Sequence, residues 1–352
     1  MNRDMTIRYI GNFPPPYGGV TIKNKLLYEE LSEKIEITHL KRRNFFPSSL
    51  YQAINMILAL VPGQCLIIGI SSMGGKSLLI TKLLYKCNRR TMQRSVYFMM
   101  GGTETTRIAS HSDEIQWYSC YKRIYVETPS MQRTLEKAGL KNVAYFPNCR
   151  KRTAILQQNV VEANKNRRLQ CVFFSLIQEM KGVDLILKAA ERLPEVDFIF
   201  YGEIDTGYKE TFNNTIVQLS NTEYRGVFKG SDDEKYEELR RYDILLFPTK
   251  WKTEGVPGIL VEGKIAGLPA VVSDVSYNAE LVQDEVNGLV MKENTVDALV
   301  DAIQRLDKNR EVLEVFTHNC ILSAEKYYID NYTEDILNTI LDRDKYKMEL
   351  RS

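Results

Sequence analysis

The 352-residue sequence has only three histidines and six cysteines, and neither type clusters. His39, His111 and His318 lie far apart. No pair among Cys65, Cys87, Cys120, Cys149, Cys171 and Cys320 has the C-x-x-C spacing of a zinc or redox site. The sequence therefore offers no structural metal site, and its scattered thiols suit a reducing, cytoplasmic setting. A long hydrophobic run is missing too. The most apolar stretch, Ala53 to Ile70, is broken by Pro62-Gly63-Gln64, so neither piece is long enough to span a bilayer. Met1-Asn2-Arg3-Asp4 leads straight into a strand pattern without a secretory leader. Internal repeats and low-complexity segments are absent. A P-loop is absent as well: in GISSMGGKS the first glycine position is held by Ile70, with Gly69 one place early.

The chain does have length enough for two domains, each with its own core. Its charge is unevenly spread. Residues 1–150 hold 21 Lys and Arg against 10 Asp and Glu, and the remainder holds 26 against 35. A basic first half meeting something anionic, followed by an acidic second half, fits a two-domain chain. The polar stretch within 151–168 reads as the linker.

The densest signal is Thr253 to Ser273, TEGVPGILVEGKIAGLPAVVS. Ile244 to Phe247 before it and Ala270-Val271-Val272 near its end read as buried strands, and a helix runs between them to Ala266. Glu254 falls in the loop and Glu262 a turn into the helix. In open parallel sheets ligands sit beyond the carboxyl ends of the strands, where helix N-termini point. Backbone N–H groups within Val256 to Ile259 favour a phosphate there. The two carboxylates suit the hydroxyls on either side of such an anion, a sugar at Glu254 and a ribose at Glu262. Two solvated acids would be the plain reading of an isolated pair, but here glycines and a strand end coincide with them.

This stretch resembles the Glu-x7-Glu motif of retaining glycosyltransferases, in particular glycosyltransferase family 4. The resemblance is detailed over about 169–305 and looser before. It implies the GT-B fold: two doubly wound, Rossmann-like α/β domains facing across a cleft. The expected acceptor-side domain covers 1–163 and the donor domain 168–352, with a last helix at about 318–340 crossing back to the first. Residue by residue, the resemblance assigns Glu254 to the donor sugar and Glu262 to the ribose. It assigns Gly255, Val256, Pro257, Gly258 and Ile259 to the diphosphate. Lys181, before Gly182 and an amphipathic helix, takes the diphosphate-pairing role. Val227 and Phe228, in YRGVFKG, take the base-side role, and Gly18 and Gly19 of GNFPPPYGG let the backbone approach the donor diphosphate and the acceptor. Glu254 and Lys181 are the candidate catalytic pair. No metal or other cofactor is implied.

Two family positions differ. The Arg expected five residues before Lys181 is Leu176, and the His expected before the Gly101-Gly102 loop is Met100. His111 lies a few residues further on.

The segment KRRNFFPSSL places Lys41, Arg42, Arg43, Phe45 and Phe46 together. Such a patch suits the anionic face of an inner membrane or the pyrophosphate of a lipid-linked acceptor, and equally a solvated loop. The expected activity is transfer from a UDP- or GDP-sugar to a glycan or lipid-linked glycan in surface-polysaccharide assembly. The partners are donor and acceptor and not nucleic acid, and the place is the cytoplasm or the cytoplasmic face of the inner membrane. A GT-B nucleotide-sugar 2-epimerase and a non-catalytic sugar-nucleotide-binding protein are the alternatives.

Overall fold

The computed structural model describes residues 6–15, 18–40, 48–70, 75–153 and 167–342, except the side chains of 48, 49 and 52. The chain divides into two compact units: residues 1–151 with 328–352, and residues 152–327. The expected boundary at 163–168 lies, up to residue 166, outside the described residues. The Lys41–Phe46 patch lies outside them as well.

In the first unit the order is β1 (Thr6–Gly11), α1 (Gly19–Ser32), β2 (Thr38–His39), α2 (Ser48–Ala59), β3 (Gln64–Gly69), α3 (Lys76–Cys87), α4 (Arg89–Met92) and β4 (Val96–Phe98). Then follow α5 (Thr103–Ser110), α6 (Ser112–Tyr118), β5 (Arg123–Val126), α7 (Pro129–Lys137) and β6 (Val143–Tyr145). All pairings are parallel, in the order β2-β1-β3-β4-β5-β6. The order reverses between β1 and β3. Every residue of β3 is buried, as expected of a parallel strand covered on both faces.

The second unit runs β7 (Gln170–Phe174), α8 (Val183–Arg192), β8 (Asp197–Tyr201), α9 (Lys209–Ile216), β9 (Thr222–Tyr224), α10 (Asp232–Leu239) and β10 (Ile244–Phe247). It continues with α11 (Gly258–Ala266), β11 (Ala270–Ser273), α12 (Asn278–Leu281), β12 (Gly288–Met291), α13 (Val296–Lys308) and α14 (Arg310–Ala324). Its parallel sheet has the order β12-β11-β10-β7-β8-β9. Here the order reverses between β7 and β10, the place where doubly wound sheets bind ligands. Val183, Ile186, Leu187 and Ala190 of α8 are spaced to form one helical face, and all are buried in this unit's core with Phe198, Leu246 and Ile303.

The sequence predicts one helix over about 318–340, and the structure corrects this. α14 stops at Ala324, a single 3-10 turn spans Glu325–Tyr327, and α15 runs Asp330–Leu341. The break has a long-range cause. Tyr328 bridges Arg150, and the Ile329 N–H donates to the Arg150 carbonyl at 3.0 Å. Ile336, Leu337 and Ile340 of α15 then pack in the first unit's core with Leu27 and Leu31 of α1.

Candidate functional site

Lys181 and Glu254 arrive at the same place from opposite directions of the chain. Beyond β7 a 3-10 turn, Glu179–Lys181, leads into Gly182 at φ 77° and then α8. Beyond β10 the chain passes Pro248 and Thr249 before reaching Glu254. The two loops are stitched together. The Lys250 N–H donates to the Met180 carbonyl at 2.9 Å, and the Lys250 ammonium donates to both Asp184 oxygens at 2.8 Å. A Cβ on Gly182 would lie 2.1 Å from the Pro248 carbonyl oxygen. Only glycine supplies both that approach and the left-handed backbone.

The result is an ion pair between Lys181 Nζ and Glu254 Oε1. Its side chains are 10% and 14% exposed, enough to be reached by a ligand and too little to be loosely solvated. The Lys181 ammonium also lies 5.4 Å from the ring centroids of Phe247 and Trp251. The Thr249 hydroxyl donates to Glu254 Oε2 at 3.0 Å, fixing the carboxylate's second oxygen. Thr249 itself is fully buried. Its carbonyl accepts from Ser273 Oγ at 2.6 Å and Asn294 Nδ2 at 3.0 Å.

From Glu254 the chain turns through Gly255 and Val256 into α11, with Pro257 as N-cap in extended conformation. Gly258 and Ile259 form the first turn, whose leading N–H groups have no acceptor within the helix. Glu262 sits in the second turn, 13% exposed, with Lys235 Nζ of α10 3.3 Å from Oε2. The same helix buries Lys264, whose ammonium donates to Ser323 Oγ of α14 at 3.1 Å. Burial lowers its pKa from 10.5 to about 8.

Val227 and Phe228 follow β9 beside the carboxyl ends of β7 and β8. The Gly226 carbonyl accepts from the Gly202 N–H at 2.9 Å. The Phe228 ring packs 5.7 Å from Phe174 and 6.3 Å from Tyr201, and Val227 is exposed. Leu176, at the place of the expected Arg, is partly exposed.

In the first unit Gly18 and Gly19 open α1 as exposed backbone. The Gly18 N–H donates to Thr21 Oγ1 at 3.0 Å. Met100, where the resemblance expects a histidine, is packed in the core with Tyr9 and Phe98, so its side chain is committed to the interior. His111 stands beyond the far end of α5, with its ring Nδ1 2.8 Å from the Arg107 carbonyl. Sequence reasoning missed a buried ion pair here. Lys23 Nζ donates to Glu127 Oε1 at 2.9 Å, and Glu127 Oε2 accepts from the Gly101 N–H at 3.1 Å. It also missed Lys235 and Thr249 in the second unit. All three features depend on partners close only in the folded chain.

A cation and two acids thus stand near the strand-order reversal and the N-terminus of α11, where open α/β sheets take their ligands. Residues 157–321 match the family model of group 1 glycosyl transferases. The chain is 32% identical over 82 residues to the Escherichia coli UDP-Gal:alpha-D-GlcNAc-diphosphoundecaprenol alpha-1,3-galactosyltransferase, covering 23% of this chain and 20% of that one. The Escherichia coli O-antigen chain mannosyltransferase C is 25% identical over 167 residues, 47% of this chain and 44% of its own. The chain thus spans less than half the length of these two relatives. The solved structure of Anabaena Alr3699/HepE in complex with UDP and glucose covers 96% of this chain and 99% of its own, with TM-score 0.67 and 15% identity. At that identity the likeness carries the fold, which is GT-B. The stretch that matches the group 1 model includes Lys181, Glu254 and Glu262, and the mannosyltransferase among these relatives is named for the O-antigen chain. No helix among the described residues is long and apolar enough to cross a membrane.

Proposed function

We propose that this chain is a retaining glycosyltransferase. It moves a sugar from a UDP- or GDP-sugar to a glycan or lipid-linked glycan acceptor during surface-polysaccharide synthesis. The observation that carries the reading is the Lys181–Glu254 pair beside the N-terminus of α11. The Anabaena neighbour's complex with UDP and glucose and the galactosyltransferase's diphosphoundecaprenol-linked acceptor support the two substrate classes.

In this reading the donor diphosphate lies against the first turn of α11 and the Lys181 ammonium. That ammonium has three donors and can hold Glu254 and a phosphate oxygen together. The bond from the anomeric carbon to the phosphate oxygen breaks, and negative charge gathers on the departing diphosphate. Lys181 and the helix N-terminus stabilise that charge in place. Glu254, held by Thr249, accepts hydroxyls of the sugar and fixes its face. The acceptor oxygen bonds to the anomeric carbon on the face the diphosphate leaves, and the acceptor proton passes to the diphosphate. Glu262 holds the ribose, and no metal is needed.

Calorimetric titration of UDP and GDP into wild type and Glu262→Ala tests the site. One nucleotide should bind wild type, and the variant should bind it more weakly by about 1–3 kcal/mol, the scale of a hydrogen bond to a charged group. Products made from the matching α-linked donor should be α-linked by NMR, at a rate unchanged by a chelator. If neither nucleotide binds, the transferase reading fails. A β-linked product or a chelator-sensitive rate removes retention or metal independence respectively.

A further inference from the structure

The first sheet has its own reversal of strand order, between β1 and β3, and a cavity of about 270 Å³ opens there. Such reversals are where open α/β sheets take ligands. The walls of this cavity are mostly carbon: Ile10 and Ile70 from the strand ends, Ala53 and Met56 from α2, and Leu79 from α3. Asn12 and Asn55 also line it; the Asn12 carbonyl already accepts from Asn24 Nδ2 at 2.9 Å, and the Asn55 amide nitrogen donates to the Tyr51 carbonyl at 3.2 Å. A sugar or nucleotide placed here would lose hydrogen bonds to water and regain few. An apolar chain would lose nothing and bury its surface.

The flanking helices add charge and exposed apolar surface. Lys76, the first residue of α3, lines the cavity and is exposed, so an ammonium and a helix N-terminus stand together there. α3 carries Lys76, Lys82 and Lys86 and no acid, while α2 (SSLYQAINMILA) has no charged residue at all. Leu79 is exposed at the cavity, and Ile57 of α2 is 66% exposed.

We infer that this cavity binds the first isoprene units of a polyprenyl diphosphate acceptor, with Lys76 at its diphosphate. This rests on the lipid-linked acceptor proposed above and names the part of it this unit holds. The cavity is at the small end of ligand sites, so it takes a short length of one chain. The remainder of a long isoprenoid stays in the bilayer, beside the exposed apolar surface of α2. A two-chain phospholipid has one chain too many for a single cavity.

Farnesyl diphosphate, a single isoprenoid chain on a diphosphate, is the probe, titrated calorimetrically into the full-length protein. It should bind about tenfold more tightly than inorganic diphosphate, and Ala53→Trp, which fills the cavity, should weaken it about tenfold. Lys76→Ala should weaken it roughly fivefold, the scale of one accessible charge contact. Affinity for whichever of UDP and GDP binds wild type should be the same in the variants, which also reports folding. If Ala53→Trp does not fold, Leu79→Asp at the exposed wall replaces it. The inference is overturned if farnesyl diphosphate fails to bind or binds the cavity variants like wild type. Equal binding of inorganic diphosphate, or displacement by phosphatidylglycerol vesicles, overturns it too. A protein that binds UDP or GDP but not farnesyl diphosphate loses this inference alone. One that binds farnesyl diphosphate at the cavity but neither UDP nor GDP loses the transferase reading instead.

Discussion

The Lys181 ammonium is ion-paired with the Glu254 carboxylate where the second sheet reverses its strand order. The two residues are 73 positions apart, and each stands in the loop after one of two adjacent strands, β7 and β10. The pair therefore exists before any donor arrives. In the proposed transfer, a diphosphate entering beside α11 meets a cation already held in place, so little reorganisation is left for the moment when charge develops.

Separating the pair's structural role from its chemical one takes a double variant. Lys181→Met alone leaves a mostly buried carboxylate without its cation and should destabilise the protein by about 3 kcal/mol. It should also lower kcat by about 10²–10³. Adding Glu254→Gln should restore most of the melting temperature and none of the turnover. Recovery of turnover with stability would mean that the pair serves folding only.

Gly182 and Gly18 should respond differently to alanine. At Gly182 the new Cβ meets the Pro248 carbonyl oxygen at 2.1 Å, on a backbone at φ 77°. Both objections apply to backbone that cannot swing aside, so Gly182→Ala should cost roughly 3 kcal/mol or more by thermal or urea denaturation. At Gly18 the backbone is extended (φ −163°) and nothing lies within 4 Å of the added atom. Gly18→Ala should leave the melting temperature unchanged and weaken the donor, if the donor meets this loop. A Gly18→Ala protein that binds UDP or GDP like wild type removes Gly18 from the donor site.

What could be read from the sequence was what is local. Continuous apolar runs such as Ile244–Phe247 are strands because both faces are covered, and the glycines and proline around Glu254 mark a strand-to-helix turn. Those two facts are enough to put Glu254 in the turn and Glu262 on the helix. Lys181 was legible through its glycine and the helix that follows. The ion pair Lys23–Glu127 was not, because its members are 104 residues apart and each looks like an ordinary surface charge. Lys235 beside Glu262 was missed for the same reason. Nor does the break after Ala324 announce itself. SAEKYYID contains neither proline nor glycine, and only the distant Arg150 carbonyl, accepting from Ile329, ends the helix.

The buried Lys23–Glu127 pair predicts an asymmetric response. Glu127→Ala strands an ammonium whose side chain is 4% exposed and frees the Gly101 N–H, and should cost about 3–5 kcal/mol. Lys23→Met in the Glu127→Ala background removes the stranded charge and should return about half of that. Urea denaturation of the three variants measures it. A double variant no more stable than Glu127→Ala would place the whole loss in the Gly101 contact.

Lys264 gives a prediction in pH. Its pKa is about 8 in the folded protein, against 10.5 in a free side chain. Below about pH 8 both states hold the proton, and the folded state bears the full penalty of burying it. Between those values the unfolded chain binds more protons, so stability rises with pH, and above 10.5 the penalty is gone. The shift corresponds to at most about 3 kcal/mol, and losing the Ser323 contact offsets about 1 kcal/mol. Lys264→Met should therefore stabilise the protein by about 2 kcal/mol at pH 7, with the advantage shrinking steadily by pH 10. Two positions from Glu262 on the same helix, it points away from that residue, so UDP or GDP affinity should not change. Urea denaturation of both proteins at about pH 7, 8.5 and 10 decides the cause. An advantage that persists at the highest pH would assign the gain to packing, and a loss at neutral pH would show that the Ser323 hydrogen bond outweighs the buried charge.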